Sequence, residues 1–280
     1  VGGCVRDIIL GREPKDWDVT TNATPDQIIG LFPHTFYENV FGTVGVVNEN
    51  TENDTLKTVE VTPYRLESGY SDNRHPDSVV FSQKLDDDLQ RRDFTMNALA
   101  YSVSEHKPVD LYNGQQDIKD KLIRTVGNPT DRFQEDGLRI MRAVRFYAEL
   151  GFEIEQETEK AIVENNHLLA HISKERIRDE FTKLIMSPRP MVGLLAMKKL
   201  GILPYVVPEL ENAIGVEQNK AHSYDVWEHL LRSVQHSADK NYPLDIRLTA
   251  LFHDISKPES RRWSKEQNQW TFYGHEVLGA

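Results

Sequence analysis

The chain of 280 residues holds one cysteine, Cys4, so no intramolecular disulfide can staple it. Its fold must rest on buried apolar surface, and 39% hydrophobic residues suffice for one large domain or two to three small ones. No apolar run approaches the length of a membrane span, so no membrane partner is expected. A secretory signal, internal repeats and low-complexity stretches are lacking too, and the expected setting is reducing and cytoplasmic. The natural N-terminus is expected upstream of Val1, where the chain opens inside a motif. An excess of positive charge is also missing. The 33 Lys and Arg face 44 Asp and Glu, a net charge of -11, which disfavours nucleic-acid binding by the surface as a whole. The deficit is uneven: residues 1–130 carry 13 basic and 21 acidic groups, whereas 131–205 carry 12 of each. Any RNA contact is therefore expected to be concentrated in the middle segment, at Arg142, Arg145 and Arg176, with Arg132 and Arg139 close by.

Two runs in the first hundred residues concentrate chemistry. Gly2-Gly3-Cys4-Val5-Arg6-Asp7 joins a glycine pair to a cation, and bare backbone N–H groups can approach a phosphate closely. Ten residues on, Asp16-Trp17-Asp18-Val19-Thr20 reads as a strand, whose period-two alternation puts both carboxylates on one face. Glu60, within Thr58-Val59-Glu60-Val61-Thr62, is the natural third acid, or else an ordinary exposed strand residue. Converging hard oxygens beside a triphosphate are what two-metal phosphoryl or nucleotidyl transfer needs. The second run, Arg91-Arg92-Asp93-Phe94-Thr95-Met96-Asn97-Ala98, reads as part of a helix over Arg92–Tyr101. Asp93 either caps that helix or joins Arg92 around a ribose and its phosphates, with Asn97 off to one side.

Periodicity sets the organisation. Pro25–Phe32 reads as a helix capped by Thr24, Thr43–Asn48 and Leu56–Arg65 as strands around a polar turn, and Gly69–Pro76 as a mobile loop. From Asp131 the period is almost all 3.6, predicting helices over Arg132–Leu150, Gln156–Glu164, Lys174–Ser187 and Pro190–Leu200. Past a proline-marked boundary at Pro204–Pro208 come Tyr224–Ala238 and Leu244–Ile255. The expected fold class is α+β. Residues 1–130 form a head with a mixed β-sheet and flanking helices, 131–205 an all-helical neck and body, and 206–280 a further helical part.

The runs VGGCVRDIILGREPKDWDVTT, VEVTPYR, YSDNRHPDSVVF, RRDFTMNALAY, GNPTDRFQEDGLRIMRAVRFYAELGF and SKERIRDE occur in that order over residues 1 to about 210. Together they resemble the class II tRNA nucleotidyltransferase and bacterial poly(A) polymerase superfamily, most of all its CCA-adding enzymes. The resemblance implies template-independent addition of C, C and A to a tRNA 3′ end from CTP and ATP, with Mg2+ at a two-metal site. It implies Asp16 and Asp18 as the metal-binding pair, Glu60 as the third acid, and Gly2, Gly3 and Arg6 as the triphosphate motif. Arg92 and Asp93, with Asn97 in the same run, correspond to the ribose-discriminating motif. Glu135-Asp136-Gly137-Leu138-Arg139 corresponds to the E-D-x-x-R base template. Asp136 and Arg139, at i and i+3 of a helix, offer an acceptor beside a donor. That suits the exocyclic amine and ring nitrogen of cytosine and adenine and rejects uracil and guanine. The alternative is a routine Glu135–Arg139 surface pair. The uninterrupted run Glu67–Pro76, the family's flexible element, favours A addition. A poly(A) polymerase, a CC-only or A-only enzyme, and a non-catalytic RNA-binding relic are the other readings. No sequence feature specifies an oligomeric state.

The C-terminal part bears a second resemblance. His229 in Asp225-Val226-Trp227-Glu228-His229, His253-Asp254, and His275-Glu276 are similar to the HD metal-dependent phosphohydrolases found fused to some CCA-adding enzymes. The likeness implies a partial HD domain with His229, His253 and Asp254 as ligands to a transition metal such as Mn, Fe, Ni or Zn. It also implies phosphohydrolase activity as a separate function. Otherwise these histidines are ordinary core and surface groups, as His222 is read to be.

Overall fold

Helix α1 (Gly3–Ile9) leads into a four-stranded mixed sheet of order β1-β4-β3-β2. The strands are β1 (Asp18–Thr21), β2 (Thr35–Tyr37), β3 (Val44–Val47) and β4 (Thr58–Pro63). The structure, a computed structural model, describes residues 1–37, 42–69, 78–219 and 223–279. Strand β1 runs parallel to β4, while β4–β3 and β3–β2 are antiparallel. Alternation in β3 and β4 sends Val44 and Val61 inward, where they meet Ile28 of α2 (Pro25–Leu31). That helix begins where the sequence places it. Thr24 accepts from the Gln27 N–H and the Gln27 side chain accepts from the Thr24 N–H, a capping box contributing about 1 kcal/mol. Strands β5 (Arg65–Ser68) and β6 (Ser78–Phe81) form an antiparallel pair ahead of α3 (Leu85–Gln90). The loop expected over Gly69–Pro76 falls, past Gly69, outside the described residues, as does His222.

The helix expected over Arg92–Tyr101 does not form. Phe94 instead bridges to Thr125, Thr95–Asn97 makes one 3-10 turn, and β7 (Leu99–Ser102) pairs with β8 (Lys107–Asp110). Every residue from Asp93 to Ala100 is buried. A segment enclosed on all sides takes its backbone partners from its neighbours: the Thr95 N–H donates to the Arg124 carbonyl, and the Leu99 carbonyl accepts from Gly2. Asp93 therefore caps no helix. Helix α4 (Gly114–Asp120) follows, and β9 (Leu122–Ile123) pairs in parallel with β10 (Glu153–Ile154).

The long helix expected over Arg132–Leu150 is two, α5 (Pro129–Glu135) and α6 (Leu138–Leu150). Asp136 lies between them in extended backbone, at φ -149 and ψ 104, and Gly137 caps the second. Asp136 and Arg139 thus do not share a helix, and the helical i, i+3 geometry read from the sequence does not hold. Glu135 pairs within its own helix, with Arg132.

The chain divides at this break into two compact units, Val1–Asp136 with Glu153–Thr158, and Gly137–Phe152 with Glu159–Ala280. Helix α7 (Gln156–Asn165) runs across the division. The second unit contains α8 (Lys174–Ile185), α9 (Pro190–Lys199), α10 (Leu203–Val206), α11 (Val226–Asp239) and α12 (Leu244–Phe252). It ends with α13 (Lys257–Ser260), a hairpin of β11 (Arg262–Ser264) and β12 (Gln269–Thr271), and α14 (His275–Leu278). Helix α6 packs on α8 and α9, and α11 on α9 and α12, burying Met141, Val144, Leu184, Leu194 and Leu230 completely. Arg247 of α12 is buried as well and donates to the carbonyls of Tyr242, Ile185 and Ser187. It thereby satisfies backbone acceptors at the end of α8 that no helical N–H can reach.

Arg145, expected as an RNA contact, lies in this core. Its guanidinium donates to Glu180 at 2.7 Å and Glu149 at 2.7 Å, with 9% of the residue exposed. Arg142 remains half-buried on the same helix, 4.0 Å from Glu180, and Arg176 is half-buried on α8.

Candidate active site

The head acids are placed by strand register. Asp18 sits directly opposite Glu60 across the parallel β1–β4 pair, and the Glu60 N–H donates to the Trp17 carbonyl at 3.1 Å. Paired positions on adjacent strands project to the same face, so these two carboxylates share one. Asp16 differs from its expected position. It falls in a bend before the strand begins and is exposed. Among the described residues the three head acids do not form a trio with ligand atoms within 4.8 Å of one another. All three offer hard carboxylate oxygens, the donor type that Mg2+ takes.

The glycine run lies against the same strand, with the Val1 nitrogen donating to the Asp18 carbonyl at 2.7 Å. Gly2 adopts φ +77, and a Cβ there would come within 2.5 Å of Arg92 Nη1. Glycine is needed at this point because backbone and guanidinium approach so closely. The Gly2 N–H is used by the Leu99 carbonyl at 2.8 Å, so Gly2 contributes close approach and not a donor to phosphate. Gly3 opens α1. Arg6 is buried, donating to Asn97 Oδ1 at 2.7 Å and pairing with Asp7 at 2.8 Å. Asn97 in turn donates to Asp93 Oδ1 at 3.0 Å, which also accepts the Phe94 N–H at 2.8 Å. Arg6, Asn97 and Asp93 therefore form one hydrogen-bonded chain, although 91 residues separate the first two.

Asp88 is the residue that sequence reasoning missed. Fully buried, it pairs with Arg91 at 2.6 Å and Arg92 at 3.2 Å, and it accepts from Thr20 of β1 at 3.2 Å. It ties the arginines of the second run to the strand that carries Asp18. The available signal was helical spacing, since Asp88, Arg91 and Arg92 stand at i, i+3 and i+4. Burial pushes the Asp88 carboxyl up, but Arg91 and then Arg92 outweigh it and hold the group below the usual carboxylate range. A depressed folded-state pKa contributes stability above the unfolded value, and that contribution disappears as pH falls through the folded one. An Asp88→Asn chain should consequently lose less stability between neutral and strongly acid pH than the wild type does. Urea unfolding at a series of pH values reads this out, and parallel acid slopes for the two chains would refute it.

A second cluster lies in the other unit. His229 of α11, and His253 and Asp254 just past α12, place their ligand atoms within 4.8 Å of one another. The His229 and His253 Nε2 atoms are 3.1 Å apart and lie 3.4 and 3.3 Å from Asp254 Oδ2. His275 Nε2 approaches the other carboxylate oxygen at 3.2 Å, and Lys257 Nζ lies 2.7 Å from Oδ2. Burial acts to raise the Asp254 carboxyl, but His253 and Lys257 hold it far below its ordinary range. Two imidazoles and a carboxylate are a donor set suited to a transition metal.

Comparison with known proteins bears on the head first. The family described as "Poly A polymerase head domain" matches residues 1–124, and the one described as "Probable RNA and SrmB- binding site of polymerase A" matches 151–214. A CCA-adding enzyme of Geobacillus sp. (strain WCH70) is 46% identical over 207 residues, which are 74% of this chain and 50% of that protein. The Bacillus stearothermophilus CCA-adding enzyme, solved in complex with CTP, is 35% identical with a TM-score of 0.69, covering 95% of this chain and 68% of that one. The chain belongs to the class II CCA-adding enzyme and poly(A) polymerase superfamily. A tRNA nucleotidyltransferase solved with a primer tRNA and an incoming ATP analog is 25% identical, with a TM-score of 0.64 over 95% of this chain and 84% of that one. The chain spans about half the length of the curated CCA-adding enzymes it matches. The superfamily's head match includes Asp16, Asp18, Glu60, Asp88, Arg92, Asp93 and Asn97. Asp136, Arg139, Arg142 and Arg145 fall between the two matched segments, and the histidine cluster lies beyond both.

Proposed function

We propose that this chain adds C, C and A to the 3′ end of tRNA without a nucleic-acid template, from CTP and then ATP. The observation that carries the reading is the Asp18–Glu60 register beside the glycine run and the Asp88-anchored arginines. In the reaction the RNA 3′-hydroxyl oxygen attacks the α-phosphorus, the bond to the bridging oxygen breaks, and pyrophosphate leaves. Asp16, Asp18 and Glu60 would hold Mg2+, which supplies charge neutralisation and a more acidic hydroxyl when bound. Arg92 offers its guanidinium beside Gly2, held by Asp88, where a triphosphate and its ribose can be positioned. The rigid Asp93–Asn97–Arg6 chain fixes the backbone that faces them.

Asp136 and Arg139, within the E-D-x-x-R motif, are proposed to select the base. The test is extension of tRNA lacking its terminal C, C and A with each NTP alone and with CTP plus ATP. CTP and ATP should be incorporated and UTP and GTP refused. Arg139→Ala should relax that refusal by about tenfold or more, because an unpaired polar group no longer penalises the wrong base. Incorporation of ATP alone in long runs would favour a poly(A) polymerase, and no incorporation at all would defeat the proposal.

The His229–His253–Asp254 cluster favours a second, separable reading, a metal-dependent phosphohydrolase. Elemental analysis should find a transition metal in the wild-type chain and less of it in His253→Ala, with nucleotide addition unchanged. Equal metal content in both chains would reduce the cluster to packing.

A further inference from the structure

We infer that the β11–β12 hairpin is a stacking platform for unpaired RNA. Trp263 and Trp270 are register partners on one face, with ring centroids 5.1 Å apart in an edge-to-face arrangement. The Arg261 guanidinium lies 3.8 Å above the Trp270 ring. Its Nε is buried without a hydrogen-bond partner, and its carboxylate neighbour, Glu217, is 3.8 Å away. Arg261 is thus held mainly as a planar cation against an aromatic face. Trp263 is 49% exposed and Tyr273 is 75% exposed, with the Tyr273 hydroxyl accepting from Gln267 at the hairpin turn.

Charge points to an anionic occupant. Between Arg261 and Tyr273 stand three cations, Arg261, Arg262 and Lys265, and one acid, Glu266, in a chain whose net charge is -11. A half-exposed indole flanked by cations suits a base stacked on the ring with phosphates alongside. A purely structural cross-strand pair would not need a half-exposed indole. Only the choice of RNA as partner rests on the proposed activity.

The test uses the full chain and an unstructured RNA of about twelve nucleotides, followed by quenching of tryptophan fluorescence. Trp263→Leu keeps apolar bulk and removes the π-face, and it should weaken binding by about tenfold. Trp263→Phe should retain most of the affinity. A structural role would instead lower the melting temperature of the leucine chain and leave its RNA affinity alone. Leucine binding as tightly as tryptophan overturns the inference, as does loss of self-association, and not of RNA affinity, in the leucine chain. RNA binding through Trp263 in a wild-type chain that adds no nucleotide would leave the platform standing and remove the proposed activity. Addition of nucleotides with RNA affinity indifferent to Trp263 would do the reverse.

Discussion

Replacing Asp18 with alanine should abolish nucleotide addition, by at least about a thousandfold, and leave the chain folded. The first part follows from the register. Asp18 faces Glu60 on the same side of the sheet, and losing one of a few hard oxygen ligands removes several kcal/mol of charge stabilisation at the reacting phosphate. The second part follows from the backbone. Strand β1 lies at the edge of its sheet, and its ladder bonds are backbone bonds, which alanine keeps. Single-turnover extension together with urea unfolding measures both effects on one preparation. A chain within tenfold of wild-type activity would remove Asp18 from the chemistry, and a chain that unfolds would make its role structural.

The largest loss of stability is expected from Glu180→Ala. Glu180 is 3% exposed and accepts from Arg145 at 2.7 Å, with Lys183 at 3.2 Å and Arg142 at 4.0 Å. Burial works against its charge, but Arg145, followed by Arg142 and Lys183, keeps the carboxyl ionised. Alanine leaves the Arg145 guanidinium buried with Glu149, at 2.7 Å, as its carboxylate partner, and breaking such a pair costs about 3–5 kcal/mol. The paired change to Glu180→Met with Arg145→Met should recover much of that loss, since apolar side chains of similar volume remove both charges together. Chemical denaturation of the three chains tests the argument, which fails if the single alanine costs under about 1 kcal/mol.

The parts of the head legible in the sequence were those carried by local signals. Thr24 and Pro25 announced a helix start, and the alternation around Glu60 announced a strand whose polar face meets Asp18. The segment after Arg92 misled because Met96, Ala98 and Leu99 suit a helix, while Thr125, Arg124 and Lys107–Asp110 offered backbone partners that no local pattern encodes. The break at Asp136 carried a visible signal in Gly137, which the strong periodicity on either side masked. Arg145 shows why charge clustering is a weak guide to RNA contact. It sits one residue past buried Val144, and its partner Glu180 arrives from another helix 35 residues later. Asp88 was readable only as a helix pair with Arg91 and Arg92. Its third tie, to Thr20, depends on the sheet being assembled.

That sheet has a kinetic consequence. The Asp18–Glu60 pairing is parallel, so no tight turn can join its two strands, and α2, β2 and β3 must be traversed between them. The entropy of closing so long a loop is spent before the contact returns anything, which makes non-local pairing slow compared with helix formation. The helices of the second unit, built from neighbours in sequence, should accordingly acquire protection from hydrogen exchange early in refolding. The strand that carries Asp18 should be among the last elements to become protected.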